Sequence, residues 1–258
     1  MPLDHERLTA VLIDQTELLR AVVRATDPAT PVPTCPGWTI AALVEHLAGG
    51  QRRVAATVAG RAPEPPDDAS SRTQEPTPAE LDAELGDSCA ALVTALRAAG
   101  PDAAVQTPFG PRTAAFYARR RAHETAVHRA DATLAAGLPY ELEADVAVDA
   151  LDEWLELGSL PVMLERSPGR RALLGPGRTV HLHATDTPAD LDAEWVVDLT
   201  GDVPSWRRAH EKSAVAVRGP VTGLLLLVYG RQGVEESGAE VFGDRDLLDA
   251  WVAAAPFG

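Results

Sequence analysis

The stretch Arg121-Ala122-His123-Glu124-Thr125-Ala126-Val127-His128-Arg129-Ala130-Asp131 decides how the first half of this chain is read. On a helix each residue advances about 100°, so Glu124 and His128 point within roughly 40° of one another. His123 lies about 140° from His128 by the same arithmetic, so it cannot join them and a two-histidine metalloprotease motif is excluded. Spacing alone leaves two readings of the pair: an i,i+4 hydrogen bond on a helix surface, or part of a site for a divalent ion. The surrounding arc bears on the choice. Phe116, Val127 and Leu134 share it with Tyr117, Glu124, His128 and Asp131, and inward polar groups each need a partner. A metal ion satisfies two of them at once. A third donor, His46, lies in an earlier helical segment. Two imidazoles and a carboxylate suit zinc or another divalent metal, and three protein ligands leave a position open for water or substrate. Asp131, three residues after His128, can accept that ring's N–H; an ion pair with Arg52, Arg53 or Arg120 is the competing reading.

Outward from this stretch, the first half reads as four helices. Leu8, Leu12, Leu18 and Leu19 fall in a segment from about Asp4 to Thr26, stopped by Asp27-Pro28. Thr39 caps a second helix in which Ile40, Leu43, Val44 and Leu47 keep core spacing and His46 flanks the stripe. Ala42, Gly49 and Gly50 project near His46, and their small size leaves space for an ion and a ligand. Residues 61–77 read as an exposed connection rich in proline, acid and serine. Thr77-Pro78-Ala79-Glu80 then opens a third helix with a capping box, ending before Gly100-Pro101. The fourth runs from near Pro111 to Gly137, a C-terminal cap.

After Pro139 the pattern changes. Val146–Leu157 reads as a helix ending at Gly158, followed by a Pro/Gly/Arg-rich stretch to Gly177. Three strands follow by alternation: Val180, Leu182 and Ala184 against His181 and His183; Trp195, Val197 and Leu199 against Val196 and Asp198; Val215 and Val217 against Ala216 and Arg218. Val221–Tyr229 is apolar almost all round and therefore a buried helix, and Asp246–Ala255 forms a last helix after the Gly243-Asp244 turn. The expected fold is α plus α+β. It comprises a four-helix bundle over 1–142 and a smaller α+β domain over 143–258, with a mainly antiparallel sheet.

Composition narrows the setting. A net charge of −15 repels phosphate backbones and anionic lipid, which argues against nucleic-acid and membrane partners. Lys212 is the only lysine, a pattern consistent with a GC-rich genome. Cys35 and Cys89 are too few for a disulfide framework, and no signal or membrane segment is evident, so a cytoplasmic protein is expected, as monomer or homodimer. Cys35 precedes a Pro-Gly turn and lacks a Cys-x-x-Cys partner, so it reads as buried rather than redox-active. His123 reads as a capping or packing residue between helices. His181 and His183 share one strand face, but no third ligand is apparent, and the pair reads as a solvated or interdomain face.

Two blocks, Cys35-Pro36-Gly37-Trp38-Thr39 with Val44-Glu45-His46-Leu47, and Arg121 to Asp131, carry a resemblance when taken together. The chain resembles the mycothiol-dependent maleylpyruvate isomerase family of actinobacteria, whose N-terminal domain is a DinB-like four-helix bundle. Asp152-Glu153-Trp154-Leu155, Val180 to Thr185, Val217-Arg218-Gly219-Pro220, Leu224 to Arg231 and Gly243-Asp244 are similar to that family's C-terminal domain, which resembles sterol carrier proteins. The resemblance implies zinc held by His46, Glu124 and His128, with mycothiol as thiol cosubstrate. It also implies an arginine of the second domain anchoring an anionic substrate, with Arg231 the first choice and Arg218 the second; a surface ion pair is the bland role for each.

Chemistry at such a site begins with the thiol, whose pKa near 8.5 keeps it mostly protonated until coordination makes a metal-bound thiolate. That nucleophile serves either S-transfer to a small electrophile or thiol-assisted cis-trans isomerisation, with no protein nucleophile needed. Two other expectations compete: a hydrolase whose open position carries water, and a non-catalytic small-ligand binding module with a structural metal.

Overall fold

The computed structural model of the protein describes residues 3–61, 76–166 and 168–254. Most of the connection read at 61–77 lies outside the described residues, as does Ala255 at the expected end of the last helix. The chain divides into two compact units, one of Leu3–Tyr140 and one from Glu141 onward.

In the first unit each helix begins where a side chain satisfies its free N–H groups. Asp4 accepts from Arg7 at the start of α1 (His5–Ala25), and Thr39 from Ala42 at the start of α2 (Ile40–Val58). Thr77 and Glu80 form a reciprocal capping box on α3 (Pro78–Ala99), with proline at its first turn. A two-stranded hairpin, β1 (Ala104–Thr107) and β2 (Gly110–Thr113), then leads into α4 (Ala114–Ala135). Pro111 therefore lies in a strand rather than at a helix start. Gly110, with φ of 91°, closes the hairpin turn. Past the far end of α4, Gly137 at φ 69° donates to Leu134 O and Leu138 donates to Thr133 O, the glycine termination the sequence suggested.

Helices α1 and α2 each pack against both α3 and α4, and the α2–α4 pair is the more loosely joined of the four. The apolar interior gathers Leu19, Val23, Ile40, Leu43, Val44, Leu47, Leu81 and Leu85. On α4, residues Ala122 to Thr133 are all buried. Ala114, Ala118, Ala122, Ala126 and Ala130 form a fully buried i,i+4 stripe, which lets neighbouring backbones approach closely. Phe116 and Leu134, expected on the inward arc, are only partly buried. Space on that arc belongs to the alanines and the polar residues.

The second unit opens with α5 (Ala144–Gly158), and the Pro/Gly/Arg-rich stretch contains two short helices, α6 (Pro161–Arg166) and α7 (Pro168–Ala172). Next come β3 (Thr179–Ala184), β4 (Glu194–Asp198), β5 (Ser205–Arg208), β6 (Val215–Gly219), helix α8 (Val221–Val228), β7 (Glu240–Gly243) and helix α9 (Arg245–Ala253). The sheet order is β5-β4-β3-β6-β7, antiparallel except for the β3–β6 pair. Sequence alternation marked the three central strands and not β5 or β7, which are edge strands with little burial to impose a pattern. Helix α8 is buried from Gly223 to Val228 and packs on α5, β3 and β6. A Cβ at Gly223 would lie 2.0 Å from Ser237 O, so only glycine admits that close approach. Asp152 ties α5 to the sheet by accepting from Trp195 Nε1 at 2.8 Å and from Arg208 Nη2 at 2.7 Å.

Candidate metal centre

The α2–α4 seam brings His46, Glu124 and His128 together. Each offers a ligand atom, and these atoms lie within 4.8 Å of one another. His46 Nε2 stands 3.3 Å from Glu124 Oε1, and the His46 and His128 rings meet edge to face with centroids 5.1 Å apart. A tetrahedral ion with bonds of 2.0–2.1 Å separates neighbouring donors by about 3.3 Å. The donor set and spacing therefore fit a divalent ion of the zinc type. His123 is fully buried and stands outside every metal-capable group among the described residues.

The outward atoms of two donors are already engaged. His128 Nδ1 meets Asp131 Oδ2 at 2.8 Å, which leaves Nε2 with the free lone pair. Asp131 is fully buried and also accepts from Thr34 Oγ1 at 2.6 Å and from Cys35 Sγ at 3.4 Å. Cys35, His128 and Asp131 also satisfy metal-ligand distances, but there the thiol donates to the carboxylate and the imidazole uses its Nδ1. Of the arginines weighed as partners for Asp131, Arg52 pairs with Glu84 at 3.0 Å and Arg120 faces Glu124 at 3.7 Å. Arg121 Nη2 donates to Glu124 Oε2, so Glu124 keeps Oε1 toward His46. Burial by itself raises the pKa of Glu124, but Arg121, His46, Arg120 and His128 override it and hold the carboxyl well below the usual range.

Arg121 corrects one expectation. The space beside Gly49 and Gly50 is filled by guanidinium groups: a Cβ on Gly50 would sit 2.3 Å from Arg121 Nη1, and one on Gly49 3.2 Å from Arg53 Nη1. Glycine there makes room for the cation that orients Glu124. Arg121 Nε and Nη1 are buried and have no hydrogen-bond acceptor, so a cationic face lies beside the trio within the bundle itself. The resemblance pointed to the second unit alone for a substrate-anchoring cation.

Trp38, of the Cys35-Pro36-Gly37-Trp38-Thr39 motif, also reaches the site. Its ring centroid lies 4.8 Å from that of His46 and 5.9 Å from that of His128, so it packs against both imidazoles. Gly37, with φ of 85°, and the Trp38 N–H bond to Cys35 O shape the turn that places it there. The same turn carries Thr34 and Cys35 onto Asp131. A buried polar chain fixes the helices' register: Ser88 donates to Gln51 Oε1 at 2.7 Å, Gln51 reaches Thr125 at 3.4 Å, and Thr125 donates to Arg121 O at 2.8 Å.

The family model described as the mycothiol maleylpyruvate isomerase N-terminal domain matches residues 10–133, and that of the C-terminal domain matches residues 145–250. The chain belongs to the mycothiol-dependent maleylpyruvate isomerase family. The family is one of enzymes. A crystal structure of mycothiol-dependent maleylpyruvate isomerase is similar in fold, with a TM-score of 0.59, 18% identity and 93% of each chain covered. A histidine-to-alanine variant of that protein gives a TM-score of 0.60 at the same identity and coverage. No curated protein matches the sequence.

The residues expected to anchor substrate lie in the second unit. Arg218 is exposed and stands 3.5 Å from Glu240, a surface ion pair. Arg231 donates to Tyr229 O at 2.8 Å and lies 5.8 Å from the centroid of that ring. Among the described residues no helix is long and apolar enough to cross a membrane.

Proposed function

We propose that this protein is a zinc-dependent enzyme that activates a low-molecular-weight thiol, mycothiol, for cis-trans isomerisation of a small electrophile or S-transfer to it. The supporting observation is the division of labour at the seam: Glu124 and His128 each have one atom held, by Arg121 and Asp131, which leaves Glu124 Oε1 facing His46 and His128 Nε2 unengaged by Asp131. Such orientation is what a ligand set needs before its ion arrives. When bound, a divalent ion here lowers the pKa of a coordinated thiol, so that thiolate is available at neutral pH.

The chain's own residues do the remaining work. Asp131 keeps the Nδ1 proton on His128 and leaves Nε2 as a ligand; Arg121 fixes Glu124 as an anion; Trp38 packs against both imidazoles. Arg231 anchors an anionic electrophile, with Arg218 second because its charge already faces Glu240. Thiolate addition to a conjugated double bond leaves a single bond free to rotate, and elimination returns the thiol. An electrophile with a leaving group or an epoxide ends instead as a stable thioether.

The test combines metal analysis with turnover. Purified protein is expected to carry zinc and to consume maleylpyruvate only when mycothiol is added, with both properties lost in Glu124→Gln. Undiminished zinc in that variant, or turnover that needs no thiol, would sink the reading.

A further inference from the structure

A second cluster of metal donors stands in the C-terminal unit and takes no part in the proposed reaction. His181, His183, Glu194 and His210 each offer one ligand atom, and these atoms lie within 4.8 Å of one another. Three imidazole nitrogens converge on a single carboxylate oxygen: His181 Nε2 at 3.0 Å, His183 Nδ1 at 3.2 Å and His210 Nδ1 at 2.6 Å from Glu194 Oε2. The three rings meet edge to face, with centroids 5.5–6.0 Å apart.

The sheet builds this arrangement. His181 and His183 alternate onto the face opposite Val180 and Leu182, and the β3–β4 register sets His183 directly across from Glu194. Ala209 donates to Glu194 O at 3.4 Å, which carries His210 off the end of β5 to the same spot. The reading of the two strand histidines as a pair without further ligands is thereby corrected. Their missing partners come from two other segments.

We propose that His181, His183, Glu194 and His210 bind a divalent transition-metal ion, of the zinc class, as a closed four-ligand structural site. Three imidazoles and one carboxylate make a borderline-soft, tetrahedral donor set, and the observed contacts of 2.6–3.2 Å approach the spacing of about 3.3 Å around such an ion. His210 is 76% exposed, which gives an ion a path from solvent. With all four donors supplied by protein, the ion fastens the exit of edge strand β5 to β4 and β3.

Chelator-stripped full-length protein titrated with Zn2+ and weighed by native mass spectrometry tests this. Wild type is expected to bind two ions, a His46→Ala/His128→Ala variant one, and a His183→Ala/His210→Ala variant one. In the bundle variant, Co2+ should produce the visible absorption of a four-coordinate site, and Zn2+ should raise the thermal midpoint. Both effects should vanish with the single exposed change His210→Ala. A wild-type ion count in the His183→Ala/His210→Ala variant, or no bound ion in the bundle variant, overturns the proposal. If the bundle variant keeps the wild-type count while the strand variant loses one ion, the bundle reading fails and this one stands.

Discussion

The two histidine clusters are built by different secondary structures, and the difference explains why one was visible in the sequence. In the bundle, Glu124 and His128 are neighbours because a helix repeats every 3.6 residues, so one turn of chain places them together. On the sheet, only His181 and His183 are paired by local geometry; Glu194 and His210 reach them through strand register. The clusters also differ in support. Asp131 and Arg121 hold the helical donors from behind, while the strand donors hold one another through Glu194. Around an ion, the helical trio would supply three protein ligands and leave a position open, whereas the strand quartet would be complete. One arrangement is suited to reaction and the other to fastening.

That contrast can be broken by substitution. The largest effect is expected from Glu124→Gln or His128→Ala, which should bring thiol-dependent turnover to background; steady-state assays with stripped and zinc-supplemented protein check it. Asp131→Asn keeps the shape but weakens the partner of His128 Nδ1, and zinc affinity should fall about 10–100-fold in a chelator competition. Gly50→Ala comes next. Its Cβ would displace Arg121 Nη1, so turnover should drop several-fold, while urea unfolding changes little because alanine returns about 1 kcal/mol of helix propensity. Retained turnover in Gly50→Ala would show that Arg121 does not orient Glu124. The smallest effect on catalysis is expected from His210→Ala, with turnover unchanged and one ion lost; a large drop in turnover would erase the distinction between a reactive cluster and a structural one.

Legibility followed the reach of the interactions involved. The caps at Asp4, Thr39, Thr77 and Gly137 are local, and the helices they bound were readable to within a few residues. The hairpin before α4 was not, because Pro111 is as acceptable in a helix's first turn as on an exposed strand. Edge strands β5 and β7 escaped because none of their residues is fully buried and four residues apiece hold too few apolar side chains to show an alternation in sequence. Asp131 was legible by its i+3 spacing. Trp38 was not, since it reaches the site by a turn; Arg121 stands at the same i,i+3 spacing from Glu124, and what the spacing does not reveal is the vacancy at Gly50 that admits its guanidinium.

The amino-acid sequence alone determined the helical periodicity that joins Glu124 to His128, the apolar faces of both units, and the pattern of motifs that marks the family. Tertiary structure decided the rest: that His46 faces Glu124 across the α2–α4 seam, that the glycines of α2 admit guanidinium groups, and that Glu194 and His210 complete a cluster begun on β3. The reason is physical. Helix and strand periods are properties of the backbone over a few residues, whereas seam and register are set by packing between segments far apart in the chain.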